Sequence, residues 1–219
     1  YYPGSLPMDI MITFSPVDGR PFGAQIVGYD GVDTRIDQYA LVIKQGGTVE
    51  QLTRLEHAYA PPYSSAKDPV AISGYVAGNI LSGRMDPLYW YELQDADMTK
   101  VTLVDVRTPE EYGLGSIPGA VNIPLDDIRE RMAEIPSDRP VWLFCAVGLR
   151  GYLASNILKS HKYPAVRNLI GGLKTYRAAT AKLALPEDFS ASACDEVPDC
   201  GKAECAVPKN YIKVDACGI

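Results

Sequence analysis

The sequence predicts an α+β unit followed by an α/β unit with a parallel sheet, and three observations carry that prediction. Two strand-like runs, residues 10–14 and 24–28, flank an Asp18-Gly19 pair that favours a hairpin turn, and helical periodicity follows them. Beyond residue 88, short apolar runs alternate with helical stretches, the rhythm of a parallel sheet covered on both faces. Between the two patterns lies Ser82–Pro87, with Gly, Pro and charge, which marks the boundary.

Within residues 1–82 the first two runs read as an antiparallel pair. From Asp33 onward, Ile36, Tyr39, Ala40 and Ile43 share one helical face, and Gly46-Gly47 ends that helix. Thr48-Val-Glu-Gln51 forms a capping box that opens a second helix. His57–Lys67 is a loop containing Pro61-Pro62, after which Asp68-Pro69 starts a third helix toward Leu81.

Within residues 88–182, Tyr89–Leu93, Val101–Val106, Ala120–Ile123, Val141–Cys145 and Val166–Ile170 read as strands. Thr108-Pro-Glu-Glu111 supplies an N-cap, a proline at the first helical position and a glutamate at the third, so a helix begins just after Arg107. Leu125–Ile135 and Gly151–Ser160 read as further helices. Residues 183–210, with Pro186, Pro198 and Pro208 among acidic and small residues, read as a linker. Residues 211–219 look like a new strand at the start of another unit.

Composition narrows the function classes. Of 219 residues, 47% are hydrophobic and 22% charged, a globular balance. A net charge of -6, with lysines and arginines scattered, argues against nucleic-acid binding, and no apolar run reaches the roughly 18 residues of a membrane span. Five cysteines, an odd number with four beyond position 190, do not form a secreted disulfide framework and predict a reducing, cytoplasmic setting. Cys194, Cys200 and Cys205 lack the close pairing of zinc sites, so no metal is expected; these three and Cys217 receive no role.

Cys145 is the candidate nucleophile. It stands at the end of an apolar strand, with Ala146, Val147, Gly148 and Leu149 between it and Arg150 and a helix predicted from Gly151. A thiol at that junction faces unpaired backbone N–H groups and the positive end of the helix dipole, with Arg150 beside it, so its ionised form should be favoured. The loop amides can surround an anion. Two chemistries use such a cradle: attack on phosphorus, or carriage of a terminal sulfur as a persulfide. Protein tyrosine and dual-specificity phosphatases have one more residue between Cys and Arg to surround a phosphoryl group, so this tighter loop favours sulfur, with a Cys-dependent phosphatase as a remaining alternative. A third reading is ordinary packing of a buried cysteine.

Asp105-Val-Arg107, Glu110-Glu-Tyr112, the run from Gly115 to Pro124, the cysteine loop and Leu169-Ile-Gly-Gly172 together resemble a rhodanese domain. The resemblance implies a five-stranded parallel sheet, sulfur transfer with Cys145 as carrier, and a persulfide held by the amides of Ala146, Val147, Gly148, Leu149 and Arg150. Ser116 and Tyr176 depart from the common pattern, which has His and Trp there. Asp105 and Arg107 read as structural support, an ion pair pinning the strand end.

Tyr1-Tyr-Pro-Gly4, the Gly23–Gly28 strand and the loop from His57 to Pro69 resemble the C-terminal dimerisation domain of FAD-dependent pyridine nucleotide-disulfide reductases, in particular coenzyme A disulfide reductases with a fused rhodanese domain. That resemblance implies a homodimer through residues 1–82, with Tyr63 and Tyr2 reaching the partner's flavin site to help a coenzyme A thiol leave. A phenol can donate a hydrogen bond to a developing thiolate. His57, followed by Ala58 rather than proline, is not expected to be catalytic. No Gly-x-Gly-x-x-Gly fingerprint occurs, so FAD, NAD(P)H and coenzyme A are implied for a longer enzyme and none is expected to bind these residues alone. With Tyr1 at its start, the chain reads as the C-terminal part of such an enzyme, passing sulfane sulfur from a donor to a thiol acceptor such as coenzyme A. The alternative is a non-catalytic dimerisation and docking module of a sulfur relay. Val214–Ile219 resembles the opening strand of small sulfur-carrier domains.

Overall fold

The computed structural model describes residues 4, 6–61 and 65–181, together with the backbone of residues 212–217. Strands β1 (Met8–Phe14) and β2 (Pro21–Gly28) pair antiparallel, from Met8 opposite Gly28 to Phe14 opposite Pro21. Alternation along β1 sends Ile10, Ile12 and Phe14 to one face, where all three are buried. Three helices cover that face: α1 (Val32–Lys44), α2 (Val49–Leu52) and α3 (Pro69–Leu81), contributing Tyr39, Val42, Val49, Leu52, Val70 and Ala77 to one core. The expected caps form. Thr48 N–H donates to Gln51 Oε1 at 2.9 Å, and the Asp68 carboxylate accepts Val70 N–H at 2.9 Å while pairing with Arg35 of α1, also at 2.9 Å.

The second unit holds β3 (Pro87–Leu88), β4 (Thr102–Asp105), β5 (Val121–Asn122), β6 (Val141–Phe144) and β7 (Val166–Leu169). They form one parallel sheet in the order β3-β7-β6-β4-β5. Helices α4 (Trp90–Gln94), α5 (Pro109–Gly113), α6 (Leu149–Ser160) and α7 (Gly172–Thr180) complete it. Residues alternate between two cores. Val104, Val141 and Leu143 join Ile123, Ile128 and Leu158 on one face, while Leu103 and Phe144 join Leu88, Leu169 and Leu173 on the other.

Three elements differ from expectation. Tyr89–Leu93, read as a strand from its aromatic content, is mostly helix α4, because the Glu92 carboxylate takes the Tyr89 N–H at 2.9 Å and starts a helical turn. Leu125–Ile135, read as a helix from its apolar spacing, is a run of turns ending in a 3-10 turn at Met132–Glu134; bonds such as Asp127 N–H to Pro124 O and Glu130 N–H to Asp127 O span three residues rather than four. Its Ile128 and Ile135 are nevertheless buried, so the spacing reported burial and not helix. Residues 212–217, read as opening another unit, form β8 (Ile212–Cys217), which lies antiparallel along β1 with Asp9 opposite Cys217 and gives the first sheet the order β2-β1-β8.

The boundary at Ser82–Pro87 does not isolate two bodies. Met85 and Ile170 are buried in the first unit's core, where Tyr89 and Tyr152 also pack. Lys174 of α7 pairs with Asp9 of β1 at 2.8 Å, and Lys159 Nζ donates to the Arg84 carbonyl at 3.1 Å.

Candidate functional site

The carboxyl ends of β4, β6 and β7 converge where the chemistry-bearing residues lie. Cys145 follows β6 directly and is 1% exposed. Its Sγ accepts the Gly148 N–H at 3.1 Å. Gly148 has φ +117, a conformation that favours glycine, and caps α6. The helix therefore starts at Leu149 rather than at Gly151, since the left-handed turn falls at Gly148.

The loop carbonyls are tied down from behind. Cys145 O accepts Leu173 N–H at 2.8 Å and Ala146 O accepts Lys174 N–H at 3.0 Å, both from the first turn of α7. Gly148 O accepts Tyr152 N–H at 2.9 Å and Asn168 Nδ2–H at 3.1 Å. In a trans peptide the N–H points opposite to the C=O, and every described peptide is trans. The amides of Ala146, Val147 and Leu149 are thus turned away from α7 and β7. The close approach of α7 depends on Gly172, whose φ is +57 and where a Cβ would stand 2.5 Å from Cys145 O.

Arg150 projects from the first turn of α6, and its guanidinium binds both oxygens of Glu111, at 2.6 and 2.7 Å. Glu111 Oε2 also accepts the Thr108 N–H at 3.0 Å, the reciprocal half of the predicted capping box. The Arg150 hydrogen bond is the main cause that holds the Glu111 carboxyl at about 2. Arg150 is pushed up in turn, first by Glu111 and to a lesser degree by Cys145. Arg150 therefore does stand beside the thiol, but with its charge already shared with a carboxylate, a partner that the loop sequence did not disclose.

Asp105 and Arg107 form a buried ion pair at 2.6 Å. The Arg107 guanidinium also donates to Gly115 O at 2.9 Å, Ser116 Oγ donates to Asp105 Oδ2 at 2.6 Å, and Asn122 Nδ2 bridges the carbonyls of Asp105 and Arg107 at 2.9 Å each. The group pins the end of β4 to the segment before β5. Tyr176 packs at the edge of the second face's core. His57 Nε2 lies 2.5 Å from Gln38 Oε1 and 4.0 Å from Asp68, within the first unit's packing.

Tyr2, Tyr63, Cys194, Cys200 and Cys205 lie outside the described residues, and of Cys217 only the backbone is described. Among the described residues, no group of three or more His, Cys, Asp or Glu is placed to hold a metal ion, and no helix is long and apolar enough to cross a membrane. A pocket of about 270 Å³ opens beside β4 and β5, lined by residues including Val101, Leu103, Val121 and Ile135, and holds none of the cysteine loop. The pocket also carries Thr102 and Glu134 but no glycine-rich phosphate loop, and so does not fit FAD or NAD(P)H.

A rhodanese-like domain model matches residues 89–179. A sulfurtransferase of Allochromatium vinosum is 41% identical over 92 residues, covering 42% of this chain and 86% of that protein. The chain belongs to the rhodanese-like family. Reduced CoADR-RHD of Bacillus anthracis is 45% identical with a TM-score of 0.78, over 81% of this chain and 32% of that one. An NAD-dependent persulfide reductase of A. fulgidus is 36% identical with a TM-score of 0.69, over 78% of this chain and 30% of that one. Both likenesses extend beyond the rhodanese-like domain itself, and this chain spans about a third of either structure. The chain thus carries a rhodanese sulfurtransferase domain related to those of coenzyme A disulfide and persulfide reductases.

Three features of this rhodanese-like site were not found from sequence. Asn168 sits inside β7 next to Arg167, and nothing in Val-Arg-Asn-Leu distinguishes the buried polar residue from the partly exposed one. The Glu111–Arg150 pair joins residues 39 apart, and the capping box already accounted for Glu111. Gly171-Gly172 marks a turn in the sequence, whereas its effect, seating the Leu173 and Lys174 N–H groups on the carbonyls of Cys145 and Ala146, depends on a contact with a distant segment.

Proposed function

We propose that the rhodanese-like domain carries sulfane sulfur as a persulfide on Cys145 and delivers it to an FAD- and NAD(P)H-dependent coenzyme A disulfide or persulfide reductase site. The observation that supports this most is the contact of Cys145 Sγ with the Gly148 amide, in a loop whose carbonyls at positions 145, 146 and 148 are all bound on the far side. Such a loop presents donors to an anionic terminal sulfur.

In the forward step the Cys145 thiolate attacks the outer sulfur of a donor such as thiosulfate. The donor S–S bond breaks, sulfite leaves with its electron pair, and Cys145–S–S⁻ remains. An acceptor thiolate, such as that of coenzyme A, then attacks the terminal sulfur. The Sγ–S bond breaks, the acceptor leaves as a persulfide, and the Cys145 thiolate is restored. Arg150, paired with Glu111, supplies partial positive charge near the loop, and the Asp105–Arg107 group holds the neighbouring strand end.

Residues 1–82 are proposed to form the homodimer contact and to bring Tyr63 and Tyr2 to the partner's reductase site, where a phenol hydrogen bond would assist a departing coenzyme A thiolate. The likeness to the two reductases over most of the chain supports this reading. A cytoplasmic location accords with it.

The test is a steady-state thiosulfate:thiol assay with wild type and Cys145→Ser. Transfer by wild type and its abolition in the variant are expected. Equal rates would overturn the proposal, and turnover of a phosphorylated small molecule that dies with Cys145→Ser would favour phosphatase chemistry instead.

A further inference from the structure

Asn168 is 2% exposed in the middle of the parallel sheet, opposite Leu143 of β6. Its Nδ2 donates to the Gly148 carbonyl at 3.1 Å and, more weakly, to Met85 Sδ at 3.6 Å, whereas its Oδ1 is buried with no hydrogen-bond partner in the described chain. An orphaned buried acceptor costs stability, and an apolar residue of similar volume would avoid that cost. The opposite amide orientation would set Oδ1 against the Gly148 carbonyl, two acceptors face to face, so the donor must point at Gly148. Gly151 makes room for this side chain. A Cβ at position 151 would stand 2.1 Å from Asn168 Oδ1.

The bond acts on one peptide of the sulfur loop. The Gly148 carbonyl has two donors, Tyr152 N–H at 2.9 Å along the helix and Asn168 Nδ2–H at 3.1 Å from β7, and together they fix the Gly148–Leu149 plane and with it the Leu149 N–H on the opposite side. The neighbouring carbonyls of Cys145 and Ala146 are held by backbone amides of α7, which no side-chain substitution removes. Asn168 is the side chain among these latches.

We propose that Asn168 is a positioning residue for sulfur transfer: by holding the Gly148 carbonyl it aims the Leu149 amide at the terminal sulfur of the Cys145 persulfide. This inference rests on the reading of Cys145 as the sulfur carrier. Its effect falls on the charge that gathers on the terminal sulfur as the donor S–S bond breaks and that persists until an acceptor takes the sulfur.

Two substitutions in the full chain separate positioning from packing. Asn168→Leu removes the donor and the orphaned acceptor together; its thermal midpoint should equal or exceed that of wild type, while kcat for thiosulfate:thiol transfer falls roughly tenfold or more and KM stays within about threefold. Asn168→Asp keeps the shape but loses the donor when ionised. Its kcat relative to wild type should rise as pH is lowered, since a protonated carboxyl can again donate to the Gly148 carbonyl. If Asn168→Leu does not fold, the pH profile of Asn168→Asp decides alone. Wild-type kcat in both variants, or in Asn168→Asp with no pH-dependent ratio, overturns the positioning role if Cys145→Ser is inactive. Activity in Cys145→Ser overturns the carrier reading itself.

Discussion

At Cys145 the sulfur accepts the Gly148 amide at 3.1 Å, and the residue is buried as part of the core that includes Val104, Val106 and Ala154. Glu111 and Arg150 stand on the exposed side of the same loop, and their pair has a definite pH signature. Glu111 is held at about 2 against an ordinary 4.5, a lowered folded-state value. Its stabilisation is therefore complete above about pH 4.5 and disappears as pH falls toward 2. Glu111→Gln keeps the capping pattern but loses the charge pair, and with both partners about one-third exposed the loss should be under about 1 kcal/mol. Thermal midpoints of wild type and Glu111→Gln should differ at neutral pH and converge near pH 2, whereas a constant gap would show that the charge contributes nothing. Residue-scale features carried by local spacing were legible: Cys145, the loop glycine and Arg150 follow from a short stretch. Asn168 and the second partner of Glu111 were not, because each depends on a contact between segments far apart in sequence.

At the scale of elements, the site is a junction of α6 and α7 at the ends of β6 and β7. The first turn of α7 spends two of its free amides on Cys145 O and Ala146 O, so helix packing and loop shape are one event. Gly172→Ala should break this. A methyl group there would meet Cys145 O at 2.5 Å on a backbone with φ +57, and a loss of about 1–3 kcal/mol in urea unfolding with a strong fall in transfer rate is expected. Unchanged transfer in this variant would show that α7 does not shape the loop. The helices with caps written in sequence, α2, α3 and α5, were legible from Thr48, Asp68 and Thr108. Tyr89–Leu93 and Leu125–Ile135 misled for opposite reasons. In the first, aromatic residues with strand preference yielded to a Glu92 cap, and in the second, helical apolar spacing was satisfied by turns that bury the same side chains.

Across the whole molecule, the fold class and the order of its two units were legible because the change from hairpin to strand–helix alternation is written in composition. Their mutual packing was not, since Met85 and Ile170 carry no mark that assigns them to the first unit's core. Ile170 follows β7 yet is buried among first-unit residues, so Ile170→Ala should cost about 2–4 kcal/mol and still give one cooperative urea transition. Two separated transitions would show that the units unfold independently. Lys174 ties the cysteine loop to the first unit as well, since its N–H holds Ala146 O while its Nζ pairs with Asp9 of β1. Everything in that account depends on Cys145 holding the sulfur. Intact and peptide mass spectrometry after incubation with thiosulfate tests it most directly: a gain of about 32 Da on the Cys145 peptide, removed by added thiol and missing in Cys145→Ser, is predicted. No adduct on Cys145, or an equal adduct in the serine variant, would contradict it.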